Sequence, residues 1–156
     1  MYHEIVSRKL QRAFRDINAG AYERILPQFA ETHRHVMFGE HALSGERHTI
    51  ASTRKWYERL RRLLPDLQFD VQSVAVAGWP WRTRATVTWR DRFTLPDGSS
   101  GSNQGVHDFE LRWGRVTRLV IHCDTARLAR YCERMAGSGV TEAAAPPICD
   151  GSRPAP

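Results

Sequence analysis

The sequence predicts an α+β fold in which a curved antiparallel sheet is wrapped over three N-terminal helices and encloses a pocket. Three observations carry this. Between Arg82 and Asp124 the chain reads as three long strands in a row, RTRATVTWRDRFTL, SNQGVHDFELRW and RVTRLVIHCD, broken only by PDGSSG and Gly114. One face of these strands is apolar with a few polar interruptions, and the segments before them carry apolar stripes at helical spacing.

Residues 3–18 place Ile5, Val6, Leu10, Ala13, Phe14 and Ile17 at helical spacing with charges between them, and Asn18-Ala19-Gly20 supplies a stop. A shorter helix fits AYERILPQFAE, with Pro27 bending or ending it. His33 to Phe38 reads as a short strand and GEHALSGERH as a loop. Thr49 then caps a third helix that runs to about Leu64, before Pro65. Leu67 to Ala77 alternates as a strand with a bulge near Gln72-Ser73, and GWPW turns the chain into the first long strand.

In that strand, counting by two puts Ala85, Val87, Trp89, Asp91 and Phe93 on one face and Arg84, Thr86, Thr88, Arg90 and Arg92 on the other. The matching faces of the next two strands are Asn103, Gly105, His107, Phe109 and Leu111, then Leu119, Ile121 and Cys123. Residues 125–135 form a last helix. From 136 to 156 the composition turns to Gly, Ser, Ala and Pro, with too few large apolar side chains to pack, which predicts a mobile tail after a domain of residues 1–135.

At 156 residues the chain fits one domain with a real core. No run approaches the roughly 18 apolar residues of a membrane span, and the first residues lack the apolar centre of a signal peptide, so a cytoplasmic protein without a membrane partner is expected. The net charge of +6 comes from arginines dispersed over several elements rather than clustered, which argues against nucleic acid as a partner. Cys123, Cys132 and Cys149 have neither metal nor redox spacing and read as free thiols.

The order of helices, short strand, helix and long meander resembles the cone-shaped fold of the nuclear transport factor 2-like superfamily. QRAFRDINAGAYERILPQFAE is similar to the opening helices of ketosteroid isomerase-like members. GEHALSGERHTIASTRKWYERL looks like the loop and third helix of SnoaL-like proteins, and LPDGSSGSNQGVHDFELRWGRVTRLVIHCDT like their closing hairpin, turn and aspartate. The resemblance covers roughly residues 3–134. It implies a pocket, pairing of two copies through the outer sheet face at Thr86, Thr88, Val120 and His122, and no cofactor. It does not fix the chemistry, because the group holds isomerases, cyclases, hydrolases and binding modules. The oxyanion-binding tyrosine of the ketosteroid isomerases is replaced by Ala13 and their aspartate base falls near Met37. Epoxide hydrolases of this fold and SnoaL-like cyclases place an acid on the last strand where this chain has Ile121. A pocket histidine of the cyclases is matched by His107.

Asp91 and His107 are the candidate catalytic pair, because both count onto the apolar face of adjacent strands. Burial there raises a carboxylic acid's pKa, and such groups take a proton from carbon or oxygen and return it elsewhere. The structural alternative gives Asp91 to a neighbouring arginine and His107 to a core hydrogen bond. Trp56, Tyr57, Trp89, Asn103, Phe109, His35 and Ile121 are the candidate substrate-binding residues. Tyr57 and Asn103 supply neutral donors for a ligand oxygen. His33, His35 and His41 lack a spacing that enforces a metal shell, and Asp124-Thr125 reads as a helix cap. The expected function is acid/base catalysis without a cofactor on a small or medium hydrophobic carbonyl compound, of isomerase, cyclase or dehydratase type. The alternative is a ligand-binding or subunit-interaction module of the same fold.

Overall fold

The computed structural model of the protein describes residues 1–150. A six-stranded sheet in the order β2-β1-β6-β5-β4-β3 is curved but not closed. Its strands are β1 (Phe29–Met37), β2 (Gly45–Thr49), β3 (Gln68–Trp79), β4 (Arg82–Thr94), β5 (Ser100–Arg112) and β6 (Arg115–Cys123). Helices α1 (Tyr2–Asn18) and α2 (Ile50–Leu63) lie on the inner face, and α3 (Thr125–Gly137) follows the last strand.

The helices bury most of the stripe their spacing predicts, although Ile5, counted on the α1 stripe, is 60% exposed. Val6, Leu10, Phe14 and Ile17 of α1 and Trp56, Tyr57, Leu60 and Leu63 of α2 meet Ala85, Val87, Trp89, Phe109, Leu119 and Ile121 of the sheet in one core. Asn18 ends α1 and docks it: its side chain donates to the Phe69 carbonyl at 2.9 Å and accepts the Phe69 N–H at 2.7 Å. This amide pairs with β3 much as a neighbouring strand would. Thr49 and Ser52 form a capping box on α2. Strand β3 shifts register between Val71 and Ser73, as Gln72-Ser73 predicted.

The N-terminal half departs from its sequence pattern. AYERILPQFAE is not an α-helix but two single 3-10 turns, Tyr22–Arg24 and Leu26–Gln28, since Pro27 has no N–H for an α-helical turn. The first strand begins at Phe29 rather than His33 and runs parallel to β6, so the sheet is mixed rather than wholly antiparallel. The end of GEHALSGERH, read as loop, is strand β2, paired with β1.

The stretch after Met135 also packs where a mobile tail was expected. Glu142 receives Arg62 at 2.7 Å and Arg59 at 3.3 Å, Ala143 is buried, and the Ile148 carbonyl accepts from Arg47 at 2.8 Å. Asp150 accepts from the backbone of His48 and from Thr49 Oγ1. Polar and backbone groups hold this strap, so its poverty in large apolar residues was no guide to its packing. The rest of the expected tail, residues 151–156, lies outside the described residues. On the outer face Thr86 and His122 are exposed, but Val120 is buried within the single chain.

Candidate active site

The inner face of β4 and β5 and the stripe of α2 enclose a hollow of about 40 Å³, room for about two or three water molecules. Trp56, Tyr57, Trp89, Asp91, Asn103, His107 and Ile121 all line it, with Leu128 of α3 on another side. Phe109 and His35 do not. Phe109 packs against the His107 ring with centroids 5.8 Å apart, and His35 lies behind Trp56 and Tyr57 at 4.5 and 5.5 Å. Gly105, opposite Trp89 in the register, keeps this wall thin: a Cβ there would come within 2.1 Å of the His122 carbonyl and 2.7 Å of the Trp89 ring.

His107 is wrapped by Phe14, Phe69, Trp89 and Phe109. The Trp89 indole N–H donates to its Nδ1 at 2.8 Å. An indole can only donate, so Nδ1 carries no proton and the neutral ring carries it on Nε2. Burial pushes the imidazole pKa down to about 3, so the ring is uncharged at neutral pH. It offers the hollow an N–H donor and not a cation.

Asp91 accepts the backbone N–H of Asn103 at 2.5 Å, and no arginine forms an ion pair with it among the described residues. Burial raises its pKa to about 6, against the lowering effect of that hydrogen bond. The register pairs Asp91 with Asn103 and Val87 with His107. The two candidate groups are therefore separated by about 13 Å along the strand direction. Both line the one hollow, and neither sets the other's ionisation.

Asn103 is committed to structure. Its side-chain N–H donates to the Asp124 carbonyl at 3.1 Å, and its oxygen accepts the N–H groups of Gln104 at 2.8 Å and Asp124 at 3.2 Å. It ties β5 to the start of α3, where Asp124 caps the helix through Arg127 N–H. Tyr57 remains the neutral hydroxyl of the hollow, its pKa pushed upward by burial.

Sequence reasoning missed a second polar centre. Arg47 on β2 is fully buried, and no carboxylate pairs with it among the described residues. Its guanidinium donates to the carbonyls of Ser44, Gly45 and Ile148 and to Nδ1 of His35, and it lies 5.4 Å from the Trp56 ring centre. Burial lowers its pKa to about 10. His35 therefore also carries its proton on Nε2, the one buried side-chain polar atom without a partner among the described residues. Nothing in GERHT marked that arginine as buried, because the strap that covers it is distant in sequence. His33 donates from Nδ1 to the Ala30 carbonyl and pairs through Nε2 with Thr53 Oγ1, both 2.7 Å away, and His41 is held within its own loop, so neither reaches the hollow.

The sequence matches the model of the SnoaL-like domain over residues 10–119. The chain belongs to the SnoaL-like domain family. Its fold is that of solved NTF2-like proteins. One, of unknown function from Burkholderia pseudomallei, aligns with a TM-score of 0.72 at 17% identity, covering 81% of this chain and 95% of its own. A putative SnoaL-like polyketide cyclase from Jannaschia sp. aligns with a TM-score of 0.65 at 17% identity over 93% of this chain and 95% of that one. AclR, a putative hydroxylase from Streptomyces galilaeus, gives 0.65 at 17% identity over 83% and 85%. No curated protein sequence matches the chain. At these identities the solved structures speak for the SnoaL-like fold alone.

Proposed function

We propose that this SnoaL-like protein is a cofactor-independent acid/base enzyme for a small or medium hydrophobic carbonyl compound, of isomerase, cyclase or dehydratase type. The observation that carries the reading is a carboxyl with a pKa near 6 sharing an apolar hollow with a neutral imidazole N–H. Asp91 as carboxylate takes a proton from the carbon next to the carbonyl, the electron pair moves onto the carbonyl oxygen, and His107 Nε2–H stabilises the oxyanion. The carboxylic acid then returns the proton to carbon or oxygen. The substrate has to bridge the strand separation of about 13 Å together with the reach of both side chains, donor nitrogen to oxyanion at one end and base to the α-proton at the other. Trp56, Trp89 and Ile121 supply apolar walls, and Tyr57 is a second donor to the oxygen.

Proton exchange in D2O tests this without knowledge of the natural substrate. Hydrophobic ketones and 1,3-diketones are followed by NMR with the wild type, Asp91→Asn and His107→Phe. Exchange at the α-carbon above the buffer rate in the wild type, lost in Asp91→Asn, is the expected result. Equal exchange in all three proteins removes the assignment.

The volume of the hollow favours a second reading, a binding module that holds an apolar molecule unchanged or uses the face for assembly. Trp56, Tyr57 and Trp89 are buried around it and leave about 40 Å³. Ligand binding without exchange in any variant is the outcome that selects it. Two copies are proposed to pair through the outer sheet face around Thr86, Thr88 and His122, and sedimentation of His122→Glu against the wild type checks this.

A further inference from the structure

Three of the protein's five tryptophans stand outside the core, at one end of the sheet. Trp79 and Trp81 flank Pro80 between β3 and β4, and Trp113 opens the turn between β5 and β6. They are 66%, 54% and 70% exposed, whereas Trp56 and Trp89 are buried. The two turns form one surface. The Trp113 N–H donates to the Pro80 carbonyl at 2.6 Å, the Trp79 and Trp81 rings lie 4° from parallel at 5.7 Å, and Trp113 is 6.3 Å from Trp81. The exposed aromatic area is on the order of 400–500 Å², comparable with the largest apolar patch of a typical monomer.

Trp113 occupies a position that suits other residues better. Its φ is 50° and that of Gly114 is 76°, a pair of left-handed residues of the kind that Asn, Asp or Gly normally supply in a two-residue hairpin turn. A bulky aromatic is strained there, and Trp113 is 70% exposed rather than packed into the core.

Cations surround the patch. Arg82 is the register partner of Trp79, Arg112 and Arg115 face each other across the neighbouring turn, and Lys9 donates to the Gly114 carbonyl. None of these four forms an ion pair among the described residues. Glu110, two residues back on β5, is taken by Arg84 and Arg118, and Glu4 by Arg8.

The geometry points to peripheral docking of this end of the sheet on an anionic lipid bilayer, with the three indoles in the headgroup layer and Lys9, Arg82, Arg112 and Arg115 against lipid phosphates. Indoles concentrate at that depth because one part of the ring is apolar and the N–H is polar. Basic side chains beside them add attraction to an anionic surface. The rings crown two adjacent turn tips and lie within 6.3 Å of a neighbouring ring, so one surface can engage all three. A second copy of the chain fits this end poorly, since the four cations would face their equivalents. No helix of the described residues is long and apolar enough to cross a membrane, so the contact is peripheral. The inference is independent of the catalytic proposal.

Co-sedimentation and tryptophan emission with vesicles of phosphatidylcholine, with and without phosphatidylglycerol, test it. Binding to the anionic vesicles with a blue shift is expected, and the shift reports the exposed indoles because Trp56 and Trp89 are already buried. Replacing Trp79 and Trp81 together by Ala should lower partitioning about tenfold or more, and Arg82→Gln or Arg112→Gln about fivefold each. Trp113→Gly separates binding from folding: vesicle binding should fall while thermal stability holds or rises. No binding to anionic vesicles, or binding that survives the tryptophan substitutions, overturns the proposal. So does equal binding to soluble polyglutamate without a blue shift, which assigns the surface to an acidic protein instead.

Discussion

His107 and His35 each accept a hydrogen bond at Nδ1, one from an indole and the other from a guanidinium, and each holds its proton on Nε2. Around His107 that proton belongs to a ring lining a hollow that also contains Asp91 and Tyr57. Around His35 the neighbouring Arg47 is saturated by three backbone carbonyls, and the strap seals the site. Both centres bury ionisable groups at a cost in solvation. One leaves its polar valences facing a void, and the other uses nearly all of them to join β2 to residues far along the chain. Spare valence beside a void points to chemistry, and saturation points to architecture.

The sharpest way to break this contrast is at Asp91. Asp91→Asn should lower turnover about 10²- to 10⁴-fold while leaving the fold intact or stabilised. The sign follows from its pKa near 6 in the folded chain, above the ordinary value of 3.8. The folded state binds more protons between these values, so this group's contribution to stability falls as pH rises from about 4 to 6. At pH 7 the substitution should therefore gain on the order of 1–3 kcal/mol, read by urea unfolding. A general base also requires kcat/KM to rise through about pH 6.

Arg47→Met should do the reverse, costing about 3 kcal/mol or more by stranding the carbonyls of Ser44, Gly45 and Ile148. Arg47→Lys should rescue little, since an ammonium cannot reproduce the fork. If Arg47→Met abolished catalysis without loss of stability, the division between the two centres would fail. His107→Phe is expected to cost about 1–3 kcal/mol at pH 7 by leaving the Trp89 N–H unpaired. His107 has a folded pKa near 3, below the ordinary 6.5, so its unfolded form takes up protons first. Its contribution to stability is present above pH 6.5 and is lost as pH falls toward 3, and the deficit of His107→Phe should shrink over that window. The smallest effect is expected for Glu142→Gln, which loosens the exposed end of the strap from Arg59 and Arg62 and should cost about 0.5–1 kcal/mol in thermal unfolding.

What the sequence disclosed follows the same division. Strict alternation from Thr83 to Phe93 placed Asp91 and Trp89 on the inner face, and the register carried His107 to the same wall. Those assignments needed only local periodicity. The parallel pairing of β1 with β6, the burial of Arg47 and the packing of residues 136–150 all depend on contacts between distant segments, which no local pattern encodes. Asn103 shows the limit within the site itself. Its face was legible, but its side chain is consumed by Asp124, and that partner is fixed only when β6 turns into α3.

The stitch between Asn103 and Asp124 also bears on entry to the hollow, because it fixes the start of α3. A hollow with room for about two or three waters cannot take in a ring compound as it stands, and an outward movement of α3, which brings Leu128 to the lining, would widen it. Uptake would then level off at the rate of that movement as ligand concentration climbs, and cutting the stitch with Asn103→Ala would raise that plateau.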